Sequence, residues 1–231
     1  MIRSLVARHR SQVGLVLALI VASGVCTALV AVRVALTGHL GYAFLVKNLV
    51  LAWMPMLFAL IALALASSPS RRNLALATLP AAAWLVFFPN APYLMTDLMH
   101  LKRHANPLFW FDVITLPSFA WTGLILGFVS LFWMQGLAVR RLGRVAGWLS
   151  ATFALGLGAF GISLGRFHRW NSWDVVTQPA ELFADVLSVF SHPLANARTL
   201  AFSGLVAVSL ASVYLVLYAL AHVRPEPEPA A

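Results

Sequence analysis

The chain has 231 residues, of which 61% are hydrophobic and only 10% charged, and its mean hydropathy is +0.86. A soluble domain carries about 25% charged residues, and so little charge cannot cover a water-facing surface, which excludes an ordinary soluble domain. The net charge of +9, from 16 Lys+Arg against 7 Asp+Glu, would suggest nucleic acid in a soluble protein. Here the basic residues stand at the ends of apolar runs, where anchoring and topology account for them, so the expected partner is the lipid bilayer and no nucleic acid.

The first element follows a basic N-terminus with Arg3, Arg8 and Arg10. Residues 13–32 form an apolar run longer than the ~7–15 residues of a signal peptide's core and long enough for a bilayer core of ~30 Å. The single Cys26 lies within it and cannot form an internal disulfide. The second span runs from residue 42 or 44 to 66, with Pro55 predicting a kink because its ring removes a backbone hydrogen bond. Residues 67–72 form a polar turn. The third span starts near residue 74 and meets Pro89 after about 15 apolar residues, roughly 22 Å at ~1.5 Å each, too short to cross. The stretch Phe87-Phe88-Pro89-Asn90-Ala91-Pro92-Tyr93 is therefore expected to break the helix at the membrane boundary. The fourth span covers 109–137, with Pro117 and a Gly123/Gly127 pair that permits close helix approach. The fifth, 145–164, is glycine-rich. In 180–190, Leu182, Phe183, Val186, Leu187 and Phe190 share one face and Glu181, Asp185 and Ser188 the other, the pattern of a helix lying in the interface. The sixth span is 200–221, and the Pro/Glu tail after 221 reads as disordered. The fold class is thus an all-α integral membrane protein: a basic cytoplasmic N-terminus (1–12), one six-helix membrane domain (13–221) with a short interfacial helix, and a tail (222–231).

Six spans place both termini on one side. With the termini inside, nine Lys+Arg lie inside and seven outside, a small positive-inside bias. All five acids of the body then share the outer face: Asp97, Asp112, Asp174, Glu181 and Asp185. They are joined there by His100, His104, His168, Arg166 and Arg169. Ionisable groups at membrane depth are costly unless paired or hydrated, so they mark candidate function. Arg166 and Arg169, one helical turn apart, could converge on a carboxylate or phosphate through their planar forks. The competing reading makes Asp97, Asp112 or Asp174 that anion. Asn171 is placed to cap a helix starting at residue 172, with Asp174 at its positive end. If 93–104 is helical, Asp97, His100 and His104 share a face at metal-ligand spacing, but no His-Glu-x-x-His pattern accompanies them and no metal or cofactor is assigned. Trp110, Trp170 and Trp173 fit an interfacial aromatic belt. Neither a nucleotide loop nor Gly-x-Ser-x-Gly nor Cys-x-x-Cys occurs, and Ser163 and Ser172 lack a nucleophile's context.

Two strings carry a resemblance: Phe87-Phe88-Pro89-Asn90-Ala91-Pro92-Tyr93-Leu94-Met95-Thr96-Asp97-Leu98-Met99-His100-Leu101, and Gly161-Ile162-Ser163-Leu164-Gly165-Arg166-Phe167-His168-Arg169-Trp170-Asn171-Ser172-Trp173-Asp174. With Trp110-Phe111-Asp112 and Trp121-Thr122-Gly123-Leu124, the chain resembles a bacterial multi-pass membrane family known as domain of unknown function 1361. The likeness implies a bacterial inner-membrane protein and supplies no activity. Ser163 stands where the family's pattern suggests tyrosine, which leaves that side chain's role open.

The candidate site is Asn90, Tyr93, Asp97, His100, Asp112, Arg166, Arg169, Asn171 and Asp174. Three functions fit it: binding of an anionic lipid or small solute, a membrane enzyme with Asp97 or His100 as acid–base, or a structural cluster that only locks the third and fifth spans.

Overall fold

The computed structural model describes residues 2–68, 70–101 and 107–223, with residues 2–11 by backbone alone. Among the described residues the chain is all-helical. Its elements are α1 (Ile2–Thr37), α2 (Ala43–Ala66), α3 (Arg71–Phe87), α4 (Asn90–Tyr93), a 3-10 turn (Leu94–His100), α5 (Phe109–Leu142), α6 (Arg144–Ser163), a π turn (Leu164–His168), α7 (Asp174–Thr177), α8 (Pro179–Ser191) and α9 (Ala197–Leu220). Six stretches are long and apolar enough to cross a membrane: Gln12–Thr37, Ala43–Ala66, Arg71–His100, Phe109–Leu142, Arg144–His168 and Ala197–Leu220. The protein is a multi-pass membrane protein. The tail from residue 224 and His104 lie outside the described residues.

The chain divides into two compact units, Met1–Ser130 and Leu131–Ala231. In the first, α2 presents Leu45, Leu49, Ala52, Met56, Ala59, Ala62 and Ala66 as a buried stripe at spacings of three and four. Its alanines let α3 pack closely, since in lipid it is contact between small side chains that holds helices together. The expected break after Phe87 takes a different form. Phe88, Pro89 and Leu94 all keep right-handed helical angles, so the chain tightens into α4 and the 3-10 turn without unwinding. Pro89 and Pro92 lack N–H groups, which suits them to the start of a helical turn. The third span therefore continues to His100 and reaches crossing length as three helical pieces. The Gly123/Gly127 pair explains why these pieces can sit where they do. A Cβ on Gly123 would lie 2.5 Å from Ala91 O and 2.5 Å from Leu94 Cδ1, and one on Gly127 would lie 3.1 Å from Ala91 Cβ. The close approach is to α4, and only glycine allows it.

In the second unit the turn into α6 uses Gly143 at φ +94°. A Cβ on Gly147 would strike Val139 Cγ2 at 2.2 Å. The small residues Ala151, Ala154, Gly158 and Ala159 are buried along α6, which packs on α9. Ser163 is fully buried between them, donating to Ala159 O at 3.1 Å and lying 2.7 Å from Ser203 Oγ. Ser203 in turn donates to Thr199 O at 2.7 Å. Lower down, Tyr214 donates to Gln135 Oε1. Its hydroxyl is the polar end of an otherwise apolar contact that includes Tyr218.

Candidate functional site

In the first unit the polar groups pair off inside the protein. Asp112 opens α5 and is fully buried. Arg33, near the end of α1, meets it with both prongs, Nε to Oδ1 at 2.6 Å and Nη2 to Oδ2 at 3.0 Å. The same guanidinium lies 3.9 Å above the Tyr42 ring, a cation–π contact. Burial, and then the nearby Asp112 carboxylate, push the Tyr42 hydroxyl's pKa above its ordinary value of 10.0. Tyr42 also donates to His100 O at 3.3 Å, tying the connection before α2 to the end of the 3-10 turn.

Asp97 is 1% exposed, and its Oδ2 accepts from Asn48 Nδ2 of α2 at 2.9 Å. His100 rests on the Phe44 ring at 4.9 Å, with Nδ1 3.1 Å from Asp97 O and 3.9 Å from Asp97 Oδ1. Asn90 donates to Phe87 O at 3.1 Å, and Tyr93 O accepts from Thr96 at 2.7 Å, so both are engaged in the turns themselves. The supposed helix over 93–104 is corrected: the 3-10 turn stops at His100 and Leu101 is extended (φ −68°, ψ 109°). The helix ends before His104, which lies outside the described residues, and no group of three metal-ligating side chains occurs among the described residues.

The second unit gathers its polar groups differently. After α6 the chain widens into the π turn and leaves the helix at Arg169, which adopts a left-handed φ of 65°. Arg166 and Arg169 therefore do not share one helical face as their spacing suggested. Arg166 is half-buried and Arg169 exposed. Asn171 is not the cap of a helix starting at residue 172. The bonds run the other way, with Asp174 Oδ2 accepting from Asn171 N at 2.7 Å and Asn171 Nδ2 at 3.3 Å, while Oδ1 accepts from Thr177 at 3.1 Å. The carboxylate reaches back to the N–H of Asn171 and forward to Thr177, and so holds the short α7 in place.

The α8 helix departs most from expectation. Its inward side carries Leu182, Asp185, Val186 and Val189, the last fully buried, whereas Phe183, Leu187 and Phe190 are 68, 55 and 60% exposed. Asp185, expected on the polar face with Glu181 and Ser188, turns in. Its Oδ2 lies 2.9 Å from His168 Nδ1 and accepts from Trp170 Nε1 at 2.6 Å. On the other side of the imidazole, Nε2 lies 3.2 Å from Thr199 Oγ1 of α9. Trp170 is thus a hydrogen-bond donor to Asp185.

A family model described as "Protein of unknown function (DUF1361)" matches residues 47–213, more than two-thirds of the chain. The chain belongs to this family. No curated protein and no solved structure matches it. The DUF1361 match includes Asn48, Asp97, Asp112, His168, Asp185 and Thr199, while Arg33 and Tyr42 lie before it. Sequence reasoning missed Arg33, Tyr42, Asn48, Asp185 and Thr199 as site residues. For Arg33 a signal existed: it is the one charge in a long apolar run, and such a charge calls for a buried partner.

Proposed function

We propose that the protein lies in the bacterial inner membrane with both termini cytoplasmic, and that the surface around α8 binds the anionic headgroup of a membrane lipid. The observation that carries this reading is the orientation of α8. A helix in water hides its apolar face, whereas α8 turns Asp185 inward and leaves Phe183, Leu187 and Phe190 exposed. Those three residues, at i, i+4 and i+7, form one stripe, flanked by exposed Glu181 and Ser188. Neighbouring Val176 and Leu194 are 82 and 92% exposed. Lipid is the medium that accepts such a surface. Exposed cations accompany it: Arg169 stands just past the fifth span, and Arg198 stands at the start of the sixth with its guanidinium 4.6 Å from the Phe167 ring. Each arginine near an anionic surface contributes about 1 kcal/mol of attraction. Arg166 adds a third charge at the same end of α6.

The first unit supports the structural alternative for its own acids. Asp112 and Asp97 are buried and held by Arg33 and Asn48, an arrangement that joins helices. The test is reconstitution into nanodiscs containing both phosphatidylglycerol and phosphatidylcholine, followed by measurement of which lipid is immobilised. The wild type should prefer phosphatidylglycerol by about thirtyfold, corresponding to two arginines at ~1 kcal/mol each. Joint Arg169→Gln and Arg198→Gln should abolish the preference, and joint Arg71→Gln and Arg72→Gln should not. Equal loss in both pairs reduces the arginines to general anchors and refutes the site.

A further inference from the structure

Lipid binding leaves one set of bonds in the second unit unused. Asp185 of α8, His168 at the end of the π turn and Thr199 in the first turn of α9 are joined in that order, at 2.9 Å and 3.2 Å. A carboxylate only accepts, so in the neutral imidazole the proton facing Asp185 sits on Nδ1 and Nε2 is left as an acceptor. The proton in the remaining contact then belongs to Thr199. The imidazole's bare nitrogen is therefore aimed at a hydroxyl, with a carboxylate behind it fixing tautomer and orientation. That order of roles is what activates a hydroxyl nucleophile, and it is recognised by geometry whatever the fold. Trp170, donating to the same carboxylate oxygen at 2.6 Å, holds Asp185 in its accepting role.

The surroundings of Thr199 suit the chemistry. It is 5% exposed, a setting of low local dielectric that strengthens its hydrogen bond to His168. It is the third residue of α9, so charge developing on oxygen there meets the helix's positive end. We propose that Thr199, His168 and Asp185 form an acyl-transfer site for carboxylic esters of amphiphilic lipids. Thr199 Oγ1 attacks the ester carbonyl carbon while its proton passes to His168 Nε2. The bond from that carbon to the alcohol oxygen breaks, and His168 returns the proton to the departing oxygen. Water then attacks the threonine ester by the same route, regenerating Thr199 and releasing the carboxylic acid. The lipid nature of the substrate rests on the lipid-facing reading of α8, whereas the activated hydroxyl does not.

A clamp holding α8 to α9 would use the same bonds, and substitution at Thr199 separates the two roles. The full chain in detergent is mixed with p-nitrophenyl acetate, p-nitrophenolate release is followed, and acetylated peptides are located by mass spectrometry. The wild type should release product with an initial burst and carry acetyl on Thr199. Thr199→Val and His168→Gln should lower the rate by about a hundredfold or more, Asp185→Asn should lower it by a comparable factor, and Thr199→Ser should stay within about tenfold of wild type. Release unaffected by Thr199→Val, or none from a wild type that melts cooperatively, overturns the proposal. Ester turnover by a wild type that shows no lipid preference supports the triad and sinks the lipid reading alone. Lipid preference without ester turnover sinks the triad alone.

Discussion

Replacing Arg33 tests most sharply how the first unit is held together. Its side chain is 13% exposed and that of Asp112 is 0% exposed, and the two share a two-pronged bond at 2.6 and 3.0 Å. Removing one partner of a buried pair typically costs about 3–5 kcal/mol, because the remaining charge stays where water cannot reach it. Arg33→Ala should fall in that range, with part of the loss coming from the stacking on Tyr42, itself worth ~0.5–2 kcal/mol. Arg33→Lys keeps the charge but loses the fork and the planar face, so an intermediate cost of about 1–3 kcal/mol is expected. Replacing both partners, Arg33→Met with Asp112→Leu, should return to within about 1–2 kcal/mol of wild type, since neither charge then needs a partner. The assay is reversible unfolding in mixed micelles, with Arg33→Ala, Asp112→Ala and the double variant forming a cycle. A coupling of about 2 kcal/mol or more is predicted. Strictly additive costs, or Arg33→Ala costing under ~1 kcal/mol as an exposed ion pair would, would refute the staple.

Other residues give independent checks. Gly123→Ala forces a methyl against Ala91 O and Leu94 Cδ1 and should cost about 1–3 kcal/mol of overpacking, whereas Gly156→Ala, with open space around it, should be neutral or stabilising; unfolding in micelles compares them. Ser163→Ala removes the link from α6 to Ser203 and should cost about 0.5–1.5 kcal/mol in the same assay. Because the folded state raises the Tyr42 pKa, chiefly by burial, its stabilising effect is fully present below pH 10.0 and is lost as pH rises through the folded value; Tyr42→Phe should therefore flatten the alkaline limb of the stability profile, and an unchanged limb would contradict the assignment. Reporter fusions after Ala66 and after Pro107 should report the cytoplasm and the outer side respectively, and the reverse pattern would overturn the orientation.

Five of the six spans were legible at crossing length because a run of about twenty apolar residues is a property of composition, independent of packing. The end of the third span was harder. Pro89 and Pro92 mark a break in the sequence, yet both sit where a missing N–H is harmless, so the chain stays helical through Phe88 and Leu94. The two-faced character of α8 was readable from its spacing, but the direction of those faces was not. Asp185 turns in toward His168 and Trp170, and periodicity is blind to partners that lie on another element. Partners separated by 79 residues, such as Arg33 and Asp112, leave no local pattern at all. Asp112 was picked out as an acid needing explanation, and its explanation lay in Arg33 on α1. Arg166 and Arg169 looked like a one-turn pair because sequence spacing assumes a continuing helix, and the left-handed turn at Arg169 removes that assumption.

Native mass spectrometry of the gently extracted full-length protein tests the lipid-headgroup reading most directly. The wild type should retain anionic phospholipid through desolvation, and the joint Arg169→Gln and Arg198→Gln variant should retain none while keeping its cooperative melt. Equal retention by both proteins, or a wild type carrying only zwitterionic lipid, would contradict it.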